Sequence, residues 1–324
     1  MSRAYVSLRK LIAFVGIAAA LPAFAQTSGQ PMRLILPVGP GSGVDTIVRV
    51  FSNALSKELG QPVVIENQPG AGGVIGTQTL VKAAPDGRTI GIVSNNHVVF
   101  PSVYKNLPFD PIEDITPIMV IGETPFVLAA NPQKVPASNV KDVIAAVKAK
   151  PGDFNYASSG NGTILHLAAA MFFAEAGVEV NHVPYKGVGP MVTDLIGGRV
   201  DFAVLPVPVL PGHLKSGALK AIGTTTSARA TSLPDLPTIA EQGMPNYAVG
   251  GWFAAVGPAK LPAAEVKRIH AALTAALAVP EVKDTLIKQG NLINPGTPEA
   301  AAQFFRSELA KYGALAKKIG LTAQ

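Results

Sequence analysis

The sequence predicts an α/β protein of two lobes, each a mostly parallel sheet flanked by helices. Strand and helix patterns alternate near the N-terminus and again in the middle of the chain. Such an order implies parallel strands joined by right-handed crossovers. Two long extended runs, 115–130 and 247–256, bracket the middle block, as two crossings between lobes require. Glycine-rich turns also stand between strand and helix in both blocks. The expected lobes are 26–126 with 247–324, and 127–246, with crossings near 125–131 and 244–252.

The N-terminus reads as an export signal. Arg3, Arg9 and Lys10 precede an apolar stretch from Leu11 to Leu21 that ends in Ala23-Phe24-Ala25. This is a positive region, a short apolar region and a small-residue cleavage site. The apolar region is shorter than the roughly 20 residues that span a bilayer; a membrane anchor is the alternative. Cleavage is expected after Ala25, which leaves 324 − 25 = 299 residues in the periplasm. With no cysteine in the chain, disulfides, thiolate metal sites and a lipidated N-terminal Cys are excluded. Removing the three basic signal residues leaves 24 Lys+Arg against 21 Asp+Glu, or +3. That modest charge carries no basic run interleaved with aromatics, so nucleic acid is not an expected partner.

Residues 33–38 form an apolar strand. Val44, Ile47, Val48, Phe51, Leu55 and Leu59 then recur at helical spacing, and Gly60 stands where a C-cap belongs. Residues 63–66 are a strand, 74–84 a helix and 89–94 a strand. The middle block follows with a helix at 140–150, strand 155–159, helix 164–176, strand 179–185, helix 191–196, and strands 200–205 and 219–224. Helices at 263–278, 281–289 and 298–319 close the chain.

In open α/β sheets ligands bind at the carboxyl ends of the strands, so four loops carry the functional reading. The first is Gly39-Pro40-Gly41-Ser42-Gly43-Val44-Asp45. A glycine turn before a helix start lets backbone N–H groups reach an anion; a tight turn without a ligand is the alternative. The dinucleotide fingerprint G-x-G-x-x-G fails at Val44, although Glu66 stands at the end of the next strand. Asp45 falls in the first helical turn, where a carboxylate complements the dipole, and reads as structural. The second loop is Ala157-Ser158-Ser159-Gly160-Asn161-Gly162-Thr163, whose hydroxyls and amides suit a carboxylate. Ser158 or Ser159 with His166 as base would make a serine hydrolase, but the G-x-S-x-G elbow is absent. His166 is otherwise a packed helix residue. The third is Tyr185-Lys186-Gly187-Val188-Gly189-Pro190, where Pro190 suits a first helical position. Lys186 there is either a ligand-facing cation or a solvated one. The fourth is Ser94-Asn95-Asn96-His97, with Asn95 as a candidate contact and His97 as a surface or core residue. Histidines at 97, 166, 182, 213 and 270 lack metal-ligand spacing, and no phosphate loop occurs. Neither metal nor cofactor is expected.

These motifs together resemble the substrate-binding proteins of tripartite tricarboxylate transporters, the Bug or TctC-type family. The matching stretches include 33–38 with 41–45, and Val63-Val64-Ile65-Glu66-Asn67-Gln68-Pro69-Gly70-Ala71-Gly72-Gly73-Val74-Ile75-Gly76. Ala84-Pro85-Asp86-Gly87, 156–160 with His166-Leu167, Pro184-Tyr185-Lys186-Gly187 and Gly198-Arg199-Val200-Asp201 follow. The series ends with 233–243 and Trp252. It runs in family order across nearly the whole expected mature chain. The resemblance implies a type II periplasmic-binding-protein (flytrap) fold. It also implies capture of a small mono-, di- or tricarboxylate and delivery to the large and small membrane subunits of a permease. A monomer without enzymatic activity is expected. In the family, loops of both lobes hold the ligand, partly through waters; the matching positions are Gly41, Ser42, Gly43, Ser158, Ser159 and Gly160, and then Lys186 and Asp201. Ser42 departs from the small-Gly-Gly run common in the family. Tyr104, Phe126, Tyr185 and Trp252 are aromatics that either line the cleft or belong to the core, and Trp252 is also a hinge candidate. A ligand-presenting partner of a signalling receptor is the alternative function.

Overall fold

The computed structural model describes residues 30–318 and 323. The export signal and its cleavage point after Ala25 lie outside these residues, as does Ile319. Among the described residues no helix is long and apolar enough to cross a membrane.

The N-terminal block folds as β1 (Met32–Leu36), α1 (Gly43–Leu59), β2 (Val63–Asn67), α2 (Val74–Val81), β3 (Thr89–Ser94) and α3 (Asn96–Val103). β4 (Ile115–Thr124) and β5 (Phe126–Ala130) divide the first extended run at Pro125. The middle block is α4 (Val140–Ala149), β6 (Asn155–Ser158), α5 (Ile164–Glu175), β7 (Asn181–Pro184), α6 (Val188–Ile196), β8 (Phe202–Pro206), α7 (Pro211–Lys215) and β9 (Lys220–Thr224). β10 (Gly251–Pro258), α8 (Ala263–Ala278), α9 (Pro280–Lys288), β11 (Leu292–Ile293) and α10 (Pro298–Lys318) complete the chain.

The strands form two sheets, in the orders β11-β4-β10-β3-β1-β2 and β7-β6-β8-β5-β9. Both sheets are mixed. β1 pairs parallel with β2 and β3, and β6 parallel with β7 and β8. β10 is inserted antiparallel between β3 and β4, and β5 antiparallel between β8 and β9. The reason is connectivity. A strand that carries the chain over from the other sheet enters against the direction of the βα units.

Helix α1 shows how the local sequence sets the frame. The Ser42 side chain caps its start by accepting from Asp45 N, and Gly60 ends it in the left-handed conformation at φ 65°. Ile47, Val48, Phe51 and Leu55 are all fully buried. They pack with Leu34 and Leu36 of β1, Phe253 of β10 and Leu273 of α8. The second core gathers Leu128, Val204 and Phe172 and continues into the crossing region through Trp252 and Phe305. At that crossing Thr225 N donates to Phe126 O at 2.9 Å and Val249 N to Thr225 O at 2.7 Å. Thr225 therefore ties the two crossing segments together.

Two short helices and one strand escape the sequence pattern. α3 carries Pro101 in its interior, which reads as a breaker. α7 has five residues and β11 two, too few to show a period. Pro190 is the third residue of α6 and not the first; its missing N–H still falls among the donors without an intrahelical acceptor.

Candidate ligand-binding site

The carboxyl ends of β1 and β3 face those of β6 and β7 across a cavity of about 510 Å³. Its walls are backbone-rich. Gly39 and Ser42 come from the β1–α1 loop, residues 70–73 from the β2–α2 loop, and Asn96 and Tyr104 from α3 and its end. The opposite wall is built from residues 159–161 after β6 and 185–188 after β7. A narrower recess of about 60 Å³, lined by Gly43, Asn95, Leu165 and Trp252 among others, adjoins it and shares Ser42, Asn96 and Ser159.

Five helices, α1, α2, α3, α5 and α6, begin at this wall, so their unpaired N–H groups and positive dipole ends converge there. Some of these donors are already occupied. Asp45 N donates to Ser42 Oγ at 3.2 Å and His166 N to Thr163 Oγ1 at 3.4 Å. Gly43, Val44 and Leu165, which line the recess, have N–H groups with no acceptor among the described residues. Lys186 is the one charged side chain among the described residues of the cavity wall, and it is exposed there without an ion pair. Among the described residues no carboxylate lines the cavity.

Asp45 explains how a carboxylate can sit beside such a site without spoiling it. It is 3% exposed and accepts from Gly41 N at 2.9 Å, Arg49 Nε at 3.0 Å and Asn67 Nδ2 at 2.9 Å. Burial pushes its carboxyl up, but the bonds from Arg49, Gly41 and Asn67 outweigh this and hold it below the usual carboxylate value. Its charge is thus consumed in shaping the 39–45 turn. Glu66 is likewise spent, on Arg33 at 2.7 Å.

The sequence-derived candidates divide into three groups. Ser42, Ser159, Gly160 and Lys186 line the cavity, and Gly43 lines the recess, where an added Cβ would lie 2.9 Å from Pro206 of the other sheet. Gly41 lies behind, its N–H committed to Asp45. Three others require correction. Ser158 is fully buried and turned away, because it is the last strand residue of β6 and its hydroxyl is held by His182 and Gly160. Asn95 is also fully buried at the recess floor. It donates to Gly250 O at 3.2 Å and Tyr312 Oη at 2.6 Å and accepts from Trp252 N at 2.9 Å, so it bonds the crossing strand to α10. Asp201 precedes β8 at the end opposite the cleft, about 16 Å of strand from Pro206, and its Oδ2 accepts from Asn155 N at 2.8 Å.

The residue missed is Asn96. Its Nδ2 donates to Gly72 O at 3.1 Å, and its Oδ1 accepts from Ile164 N at 2.8 Å, the first N–H of α5. It therefore joins the two sheets across the cleft. Of the aromatics, Tyr104 and Tyr185 line the cavity, while Phe126 and Trp252 face the recess. Trp252 Nε1 donates to Glu308 Oε2 at 2.7 Å, and the ring stacks edge-on against Phe304 and Phe305.

Ser158 Oγ stands 2.7 Å from His182 Nε2, a contact a hydrolase could use. Full burial of Ser158 leaves no path for an attack on a carbonyl, and the partner is not the His166 that the hydrolase reading required.

A two-lobed sheet pair with a polar, helix-ended cleft defines a solute-binding protein. Residues 47–321 match the tripartite tricarboxylate transporter family receptor, and the chain belongs to that family. It is 34% identical over 323 residues to the protein BugT of Bordetella pertussis, covering 99% of this chain and 98% of that one. The fold is similar to the periplasmic binding protein BugD, with 31% identity, a TM-score of 0.87, and 91% and 99% of the two chains covered. An R. palustris protein solved with adipate gives 30% identity, a TM-score of 0.87, and 91% and 98% coverage. The family is one of receptors and BugD is a binding protein; this chain is a binding protein and not an enzyme.

Proposed function

We propose that the protein is an exported receptor that closes on a small organic dicarboxylate and delivers it to the membrane subunits of a tripartite permease. The observation that carries this reading is the cavity wall: converging helix starts and glycine-rich backbone, one cation in Lys186 and no carboxylate. The cavity volume falls within the range of about 300–1,000 Å³ typical of small-ligand sites. The adipate held by a similar protein supports the class.

Each helix end adds typically 0.3–1 kcal/mol toward an anion, and each charge-assisted hydrogen bond about 1.5–3 kcal/mol. A handful reaches the roughly −8 kcal/mol of micromolar binding. Closure follows only if the ligand binds the closed form more tightly than the open one. The moving bodies are 26–126 with 247–324, and 127–246. The receptor acts as a monomer in the periplasm after cleavage at Ala25. Calorimetry against mono-, di- and tricarboxylates tests the reading: binding of at least one dicarboxylate is expected, and silence across the panel refutes it.

A further inference from the structure

We propose that His182 and His166 are positioning residues for the β6–α5 side of the cleft, holding loop 158–163 in its ligand-facing shape. This rests on the receptor reading above. Ser159, Gly160 and Asn161 of that loop line the cavity, but what fixes them lies behind it. Ser158 Oγ is 3.0 Å from Gly160 O, 3.2 Å from Gly160 N and 2.7 Å from His182 Nε2. A hydroxyl has one proton and two lone pairs. All three contacts are hydrogen bonds only if Ser158 donates to Gly160 O and accepts from Gly160 N–H and from His182 Nε2–H. Further along the loop, Gly162 N donates to His166 Nδ1 at 3.0 Å, so His166 carries its proton on Nε2. The two imidazoles stack at 3.9 Å with their planes 5° apart.

The consequence is a brace that works only while neutral. A proton on His166 Nδ1 turns the acceptor of Gly162 N–H into a donor and ejects it. A second proton on the stack sets two like charges face to face. Among the described residues the groups packed on the pair offer no counter-charge. Tyr156 of β6 stacks at 4.9 Å on His182 and 6.2 Å on His166 and is a neutral phenol, raised to about 12 by burial. α5 contributes His166 and β7 contributes His182. Burial lowers both imidazoles to about 4, with His166 adding to the effect on His182. Gly162 is also where the loop meets Val103 of the other lobe, so losing its anchor disturbs closure as well as the wall.

The test is adipate calorimetry on the full chain from about pH 7.5 to about pH 4.5, with folding checked by circular dichroism. His166→Ala and His182→Ala are expected to bind about tenfold more weakly at pH 7.5. The double variant His166→Asn/His182→Gln keeps an acceptor for Gly162 and a donor for Ser158 but cannot titrate. It is expected to bind within about threefold of wild type at pH 7.5. It shares the ligand's own titration, so the ratio of its affinity to that of wild type isolates the pair. That ratio is expected to rise about 1.5- to 2-fold by pH 4.5, the change that two groups titrating near 4 produce by linkage. A constant ratio, or alanine variants that bind like wild type, overturns the proposal while leaving the receptor intact. A wild type that binds no carboxylate at pH 7.5 overturns the receptor reading instead, and this one with it.

Discussion

Asn96→Ala separates closure from folding. The side chain makes two hydrogen bonds, and they belong to different equilibria. The bond to Gly72 O stays within the first lobe and exists whether the cleft is open or closed. The 2.8 Å bond from Ile164 N to Asn96 Oδ1 crosses the cleft and exists only when the lobes meet. Truncation leaves that N–H without an acceptor beside a half-enclosed cavity. An unmade buried donor costs about 1–3 kcal/mol, and a neutral hydrogen bond replaced by water about 0.5–1.5 kcal/mol. Partial access places the loss near 1–2 kcal/mol, or about 5- to 30-fold in affinity. The ligand-free protein should lose only the Gly72 bond, within about 1.5 kcal/mol. Calorimetry with adipate gives the affinity, small-angle scattering the compaction on ligand addition, and urea unfolding the stability. If the variant binds and compacts like wild type, Asn96 does not clasp the lobes.

Lys186→Gln removes the one charge on the cavity wall. We expect adipate affinity to drop about 10- to 100-fold, the equivalent of one charge-assisted bond, with a smaller drop in high salt. An unchanged constant at low ionic strength would mean that Lys186 is merely solvated. Gly162 has φ 67°, and a Cβ there would collide with Val103 across the cleft. Gly162→Ala therefore adds about 1–2 kcal/mol of left-handed strain to a clash specific to the closed form, and scattering should show a protein that no longer compacts with ligand. Full compaction would refute the closed geometry. His97 is buried among Phe100, Phe109 and Phe305 with its Nε2 at 2.6 Å from Pro111 O. Burial lowers it to about 4 against opposing effects of Pro111 and Asp110. The unfolded chain takes up that proton near 6.5, so stability is complete above that pH and declines as pH falls toward 4. Urea midpoints at about pH 7.5 and pH 5 test this; a flat profile would contradict it.

The asparagine pair shows where sequence reading stops. Asn95 and Asn96 share one loop and the same chemistry. α3 begins at Asn96, and successive helical positions point about 100° apart. One therefore bonds the crossing strand to α10 and the other the opposite lobe. Pro101 inside α3 hid that helix and with it the distinction. Ser158 and Ser159 divide in the same way, since adjacent residues at a strand end face opposite sides.

What the sequence determined was carried by local rules. The apolar spacing of α1, Gly60 at the C-cap and the βα order are all properties of residues close in the chain. Together with the family motifs they specified a two-lobed carboxylate receptor fold. Tertiary structure decided which side chains reach the cleft. Asn96, Gly72 and Ile164 meet across 92 positions of sequence. His166 and His182 stack only because β7 pairs beside β6, and Asp201 is excluded because it stands at the wrong end of β8. Such contacts depend on the register and direction of elements distant in the chain, which no local pattern of residues records.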